Sequence, residues 1–257
     1  INDLRKRITK KTKVIIPVHM LGMSAKIVEI CSVAKKNKIY VLEDNCESVG
    51  AKIDNRFLGT LGHVGILSLD FGKIITSGEG GVILSDSKRI EKFCREYHDH
   101  GHENNPAYTR GNDTRRMYGF NYRMTEIQAV IAKVQLSKLN FIIKENRKRF
   151  KILEKNLSNK VKQRYYISES SPIYDCFIFF VEQKSLRLKI IKILQDKKFG
   201  TKNIPDALKW HCAYYWDHAL DKNEYLRSKK TMEILKQAIA IPMLLKKSLK
   251  DYKLLIR

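Results

Sequence analysis

The sequence predicts an α/β protein, a mostly parallel sheet between helices, followed by a smaller carboxyl-terminal α+β domain. Three observations carry that expectation. Residues 14–42 run apolar strand, helical spacing, apolar strand, the pattern of a βαβ unit whose strands are parallel neighbours. A further apolar run, residues 64–69, leads into a loop with a lysine, Lys73, then Gly78, Gly80 and Gly81 and another run at 82–84. Around residues 157–171 the chain turns polar, which places a domain boundary between residues 1–157 and 158–257.

In chain order, Val14-Ile15-Ile16-Pro17-Val18-His19 reads as a short strand stopped at or just after its proline. Ser24 is the expected cap of a helix carrying Ile27, Ile30, Cys31 and Ala34 at helical spacing. Residues 39–42 form the next strand, with Glu43 and Asp44 at its carboxyl end. Ligands of parallel sheets bind at carboxyl ends of strands, so Asp44 and Lys73 are expected near one pocket, with His19 bordering it. The lysine loop is not a nucleotide phosphate loop, because its lysine precedes the glycines. An amine held at a strand end is instead a place for a nucleophile.

Asp86 or Ser87 starts a helix with Ile90 and Phe93, and a polar loop spans residues 98–116. Thr125 and Gln128 form a capping box for a long helix whose stripe runs Ile127, Val130, Ile131, Val134, Leu139 and Ile142 and reaches Leu153. Beyond the linker come a strand at 176–181 and a helix with Leu186, Ile190, Ile193 and Leu194, closed by Gly200. A short strand at 238–241 is stopped by Pro242.

Composition narrows the function classes. The five cysteines include no Cys-x-x-Cys pair and read as reduced thiols, neither a disulfide frame nor a zinc site. No stretch reads as a signal peptide, and the longest apolar run, 176–181, is too short to span a bilayer, so a cytoplasmic protein without a membrane partner is expected. The formal charge is +23, but the lysines lie along helical segments with few aromatics between them and no helix-turn-helix, RNA-binding or OB signature. That favours affinity for an acidic small molecule over nucleic acid. His98, His100 and His102 alternate, yet only Asp99 and Glu103 accompany them, and no metal site is expected.

The stretch from Ser68 through Lys73 to Gly78-Glu79-Gly80-Gly81 resembles the cofactor-lysine segment of the DegT/DnrJ/EryC1/StrS sugar aminotransferases. Two further stretches share the resemblance in the family's order, Val41-Leu42-Glu43-Asp44-Asn45-Cys46-Glu47-Ser48 and Gly119-Phe120-Asn121-Tyr122-Arg123-Met124-Thr125-Glu126. It is clear from residue 14 to about residue 139 and looser beyond. The resemblance implies a type I pyridoxal-phosphate-dependent aminotransferase fold and pyridoxal 5'-phosphate as cofactor, held by Lys73 as a Schiff base. It implies that Asp44 pairs with the pyridine nitrogen, that Ser68 binds the phosphate, and that Asn121 reaches the phosphate of a neighbouring subunit in a homodimer. Glu47 stands where many relatives have a glutamine contacting the cofactor, a departure that leaves its role open.

The implied reaction moves an amino group from glutamate to a keto- or aldehydo-sugar, a nucleotide sugar or a Kdo-type sugar acid, in surface polysaccharide or lipopolysaccharide biosynthesis. The loop around His100-Gly101-His102-Glu103, with Gly200-Thr201-Lys202-Asn203 and Trp210-His211-Cys212, is similar to the subgroup making 8-amino-8-deoxy-Kdo. There Arg110, Arg115, Arg116 and Lys202 would suit an anionic sugar. Rival readings are the dehydratase branch, where histidine replaces the lysine, a non-catalytic remnant, and a basic nucleic-acid-binding protein. Relatives carry a phosphate-holding helix start and an aromatic ring ahead of the first strand. Residues 1–13 offer neither, so an amino-terminally incomplete chain that binds the cofactor weakly is expected.

Overall fold

The computed structural model describes residues 1–256, the side chain of Arg110 excepted. A short helix α1, Asn2–Arg7, precedes strand β1, Val14–Ile15. β1 is brief because Pro17 has no N–H to give a ladder. Pairing nonetheless resumes beyond it: the Asp44 amide donates to the Pro17 carbonyl and the His19 amide to the Asp44 carbonyl, both at 2.9 Å. Helix α2, Ile27–Lys36, follows, and it corrects the expected cap. It starts after Lys26 without a side-chain cap, because the Ser24 hydroxyl donates to the Ala25 carbonyl at 2.6 Å.

Strand β2, Tyr40–Asp44, lies parallel to β1, with Val14 opposite Tyr40. Two short strands, β3 at Lys52–Ile53 and β4 at Arg56–Phe57, precede β5, Val64–Ser68, and β6, Gly81–Leu84. The main sheet has the order β1-β2-β5-β6: β2 and β5 are parallel, and β6 turns back antiparallel on β5 as the second arm of a hairpin. The expected mostly parallel sheet is found, with Lys73 in the hairpin's connection.

β5 runs close under the loop before it. A Cβ on Gly65 would stand 2.0 Å from the Gly59 carbonyl oxygen, closer than any carbon can approach. Gly65→Ala should therefore destabilise the chain by about 3 kcal/mol, read as a lowered urea midpoint. An unchanged midpoint would mean that β5 and the Gly59 turn do not meet in this way.

Helix α3, Lys88–His98, starts as expected, with the Ser87 hydroxyl accepting from the Ile90 amide. The long helix α4, Glu126–Leu157, opens on the expected capping box: the Gln128 amide donates to Thr125 Oγ1 at 3.3 Å and the Thr125 amide to Gln128 Oε1 at 3.0 Å. Gln128 Nε2 also donates to the Glu79 carbonyl at 3.2 Å, so the helix start holds the glycine turn behind Lys73. The stripe from Ile127 to Val134 is exposed in this chain, whereas Leu139 and Ile142 are buried.

The chain divides into two compact units, Ile1–Leu139 with Ile167–Pro172, and Asn140–Tyr166 with the residues from Ile173 onward. The division thus differs from the sequence expectation of a boundary after residue 157. α4, which contains no glycine or proline, ends at Leu157, where the boundary was expected, whereas the units part within it, after Leu139. After β7, Lys162–Gln163, the supposed linker contributes β8, Ser170–Ser171, which pairs with β3 in a small antiparallel sheet of the first unit.

In the second unit β9, Cys176–Phe180, is the middle strand of a sheet ordered β10-β9-β7, where β10 is Ala238–Pro242. Helix α5, Lys184–Asp196, and short helices α6, Leu208–His211, α7, Lys222–Tyr225, and α8, Lys229–Leu235, lie between them. Helix α9, Leu249–Leu255, which sequence reading passed over, starts on a capping box of Ser248 and Asp251. Phe150, Leu153, Phe177, Leu194, Ile239 and Tyr252 form the core here. The buried Tyr252 hydroxyl is satisfied twice, donating to Pro242 and accepting from the Leu244 amide. No helix among the described residues is long and apolar enough to cross a membrane.

Candidate active site

Side chains alternate along a strand, so Glu43 and Asp44 at the end of β2 point to opposite faces of the sheet. Asp44 is half-buried and begins a turn, its Oδ1 accepting from the Cys46 amide at 3.1 Å. That turn delivers Glu47. Its Oε2 accepts from the Leu21 amide at 3.3 Å, its carbonyl accepts from the Gly22 amide at 3.0 Å, and its Oε1 lies 3.6 Å from Lys73 Nζ.

Lys73 closes the turn 70–73, donating its amide to the Asp70 carbonyl at 3.1 Å while the Gly72 amide donates to Asp70 Oδ1 at 2.9 Å. The base of the loop is fixed by the Leu69 amide on the Gly80 carbonyl and the Ser77 amide on the Leu69 carbonyl, both at 2.9 Å. The Lys73 side chain keeps 21% of its surface exposed.

Burial, the hydrogen bond with Asp44 and the Asp44 charge push the Cys46 thiol up to about 12, with the Lys73 charge opposing and Glu47 adding to the rise. The thiol is inert at neutral pH.

Ser68 ends β5, and its hydroxyl accepts from the Asp70 amide at 3.3 Å, at the root of the lysine loop. Asn121 belongs to a different hydrogen-bonded set. It forms a β-bridge with Asp99, its Oδ1 accepts from Arg123 Nε at 3.1 Å, and Arg123 pairs with Asp99 at 3.0 Å. The structure thus sets Glu47 beside Lys73, puts Asp44 at the start of the turn that carries Glu47, sets Ser68 beside the loop, and leaves Asn121 exposed.

Glu43 and His19 were not singled out as a unit by sequence, and they form a buried, hydrogen-bonded ionic group. Glu43 is fully buried. Its carboxylate accepts from the amides of Gly59 at 2.9 Å, Leu61 at 2.6 Å and Gly62 at 2.6 Å, and meets His19 Nε2 at 3.0 Å. The Ala25 amide donates to His19 Nδ1 at 3.1 Å, so Nε2 carries the proton given to Glu43. Burial pushes the Glu43 carboxyl up, but the His19 hydrogen bond and the amides of Gly62, Gly59 and Leu61 outweigh it and hold the group below the usual carboxylate range. His19 is wholly buried in this network rather than lining the pocket. The signal was present: an acid one residue from Asp44 must face the other side of the sheet, into the core.

The expected anion-binding cations fare differently. Arg116 Nε pairs with Glu103 at 2.8 Å, and Lys202 pairs with Asp175, so both answer internal carboxylates. Arg115 is exposed, and the Arg110 side chain lies outside the described residues. His98 ends α3 and bonds the Arg95 carbonyl, while the His100 and His102 rings stand 6.4 Å apart. Among the described residues no group of His, Cys, Asp or Glu could hold a metal ion.

A model of the DegT/DnrJ/EryC1/StrS aminotransferase family matches residues 1–255. GDP-perosamine synthase of Escherichia coli O157:H7 is 32% identical over 162 residues, 63% of this chain and 43% of that protein. UDP-N-acetyl-3-dehydro-alpha-D-glucosamine 3-aminotransferase of Acidithiobacillus ferrooxidans is 32% identical over 133 residues, 51% of this chain and 34% of that protein. The chain spans about two fifths of the length of the curated GDP-perosamine synthases of Escherichia coli and Vibrio cholerae that it matches. Among solved structures, an aminotransferase from Psychrobacter cryohalolentis superposes with a TM-score of 0.82 at 23% identity, covering 99% of this chain and 70% of that one. The E. coli GDP-4-keto-6-deoxy-D-mannose-3-dehydratase with bound hydrated PLP gives 0.81 at 21%, covering 99% and 69%. The expected pyridoxal-phosphate-dependent aminotransferase fold is therefore the fold of this chain.

Proposed function

Because the chain belongs to the DegT/DnrJ/EryC1/StrS aminotransferase family, we propose that it carries the cofactor site of a transaminase, moving an amino group from glutamate to a keto sugar with pyridoxal 5'-phosphate at Lys73. The observation that carries this reading is the Lys73 amine 3.6 Å from the carboxylate of Glu47, on the turn that Asp44 begins at the carboxyl end of β2. That donor set suits the cofactor: an accessible amine for its aldehyde, a carboxylate for a protonated ring nitrogen, and the Ser68 hydroxyl for its phosphate. When bound, the cofactor supplies an electron sink for the substrate carbon that loses its proton.

The protein's own residues do the rest. Lys73 Nζ binds the cofactor and, once displaced by a substrate amine, holds the proton taken from the substrate carbon. Asp44 fixes the ring by charge, and Asn121 serves the site of a second copy in a homodimer.

The substrate we favour is a nucleotide-linked keto sugar. Two relatives named above carry GDP- and UDP-linked sugars in their names. The sugar-acid reading loses support from Arg116 and Lys202, whose charges are already met by Glu103 and Asp175.

Release of 2-oxoglutarate from glutamate, with GDP- and UDP-linked keto sugars and an oxidised Kdo offered in parallel, tests the proposal. Turnover with a nucleotide sugar is expected; turnover with none of them would remove the function. Asp44→Asn should retain covalent capture of the cofactor at Lys73 but turn over about 10²–10³-fold more slowly. Near-wild-type turnover would free Asp44 of that role.

A further inference from the structure

Glu47 is held by its main chain and by its side chain. Leu21, whose amide donates to Glu47 Oε2, lies in the left-handed region at φ 54° and ψ 50°, with its side chain buried. A bulky residue adopts that conformation only where its surroundings impose it, and such residues gather at functional sites. Here the surroundings are on hand. The Ala25 amide donates to His19 Nδ1, the Ser48 hydroxyl donates to the His19 carbonyl at 2.6 Å, and the Gly22 amide donates to the Glu47 carbonyl at 3.0 Å. His19 is itself pinned by the buried Glu43. The turn thus grips Glu47 by main chain and by one carboxylate oxygen, while the other oxygen stands 3.6 Å from Lys73 Nζ. The two side chains are only 13% and 21% exposed, so water screens the pair weakly.

We infer that Glu47 is the proton partner of Lys73, a carboxylate aimed at the amine by the left-handed turn at Leu21. When a carbonyl compound reaches the site, Glu47 takes the ammonium proton. One N–H bond breaks, one O–H bond forms, and the nitrogen regains the lone pair with which it attacks; no electrons enter or leave. A glutamine could accept the Leu21 hydrogen bond but could not take that proton. This inference rests on the reading of Lys73 as the reactive amine.

The test traps pyridoxal 5'-phosphate on the full chain with cyanoborohydride and follows the labelled peptides by mass. Wild type should label Lys73, and Glu47→Gln, which keeps an oxygen for the Leu21 amide, should do so about 10²-fold more slowly. Glu47→Ala should be equally slow and should regain rate with added acetate, as a missing base does and a missing structural contact does not. A wild-type label on another lysine overturns the reading of Lys73 together with this inference. Labelling of Lys73 at the wild-type rate in Glu47→Gln, or a slow Glu47→Ala that acetate does not quicken, overturns the inference alone.

Discussion

Lys73→Ala is expected to fold normally and to lose covalent capture of pyridoxal 5'-phosphate completely, with kcat/KM for transamination down on the order of 10⁴-fold. Chemistry and stability separate here because of where the side chain stands. Lys73 lies in a hairpin connection whose geometry is set by main-chain hydrogen bonds at Asp70, Leu69 and Gly80, none of which uses its ammonium. Its ion pair with Glu47 is partly exposed, and the carboxylate keeps the Leu21 amide when the lysine goes. Removing the amine should therefore cost less than about 1 kcal/mol of stability. Borohydride labelling with peptide mass analysis, alongside thermal melting, measures both. A variant that still binds the cofactor covalently, or that unfolds, would contradict the assignment of Lys73.

Glu43→Ala should do the opposite, damaging the fold before the chemistry. The substitution strands the amides of Gly59, Leu61 and Gly62 and the His19 Nε2 proton in a site closed to water. Losing one side of a buried, fully bonded charge costs about 3–5 kcal/mol. The effect carries a pH signature. The Glu43 carboxyl is held below the usual carboxylate range, so its stabilisation is fully present above that range and fades as the pH falls through the lowered value. The gap in urea midpoint between wild type and Glu43→Ala should thus be wide at neutral pH and shrink in acid. A gap that does not change with pH would show that the ionised carboxylate is not what holds the loop.

Much of the fold was legible in the sequence wherever local hydrogen bonding or side-chain period decides the outcome. The Ser87 cap, the Thr125–Gln128 box and the β5–β6 hairpin are of this kind. Two-residue strands are not: β3 and β8 find each other across more than a hundred residues and carry no period to read. The start of α2 was misplaced because Ser24 has the right chemistry and uses it on its neighbour. α9 was missed although Ser248 and Asp251 announce it. In the site, the Asp44, Glu47 and Lys73 segments stood out as motifs, whereas Glu43 looked like a second copy of Asp44 until strand alternation separated them. Arg116 and Lys202 read as free cations because their carboxylate partners, Glu103 and Asp175, are not near neighbours in sequence.

Gln128 does two jobs with one amide, and that restricts what can stand there. A capping box accepts glutamate as readily as glutamine, since only an oxygen is asked to reach back to the N-cap amide. At this position the nitrogen is also in use, donating to the Glu79 carbonyl beside the glycine turn. A glutamate would keep the helix cap and set a carboxylate against a carbonyl oxygen, two acceptors with no proton between them. The helix alone would tolerate either residue; the lysine loop makes the side-chain amide obligatory, so the composition of a helix start is dictated by the turn it fastens.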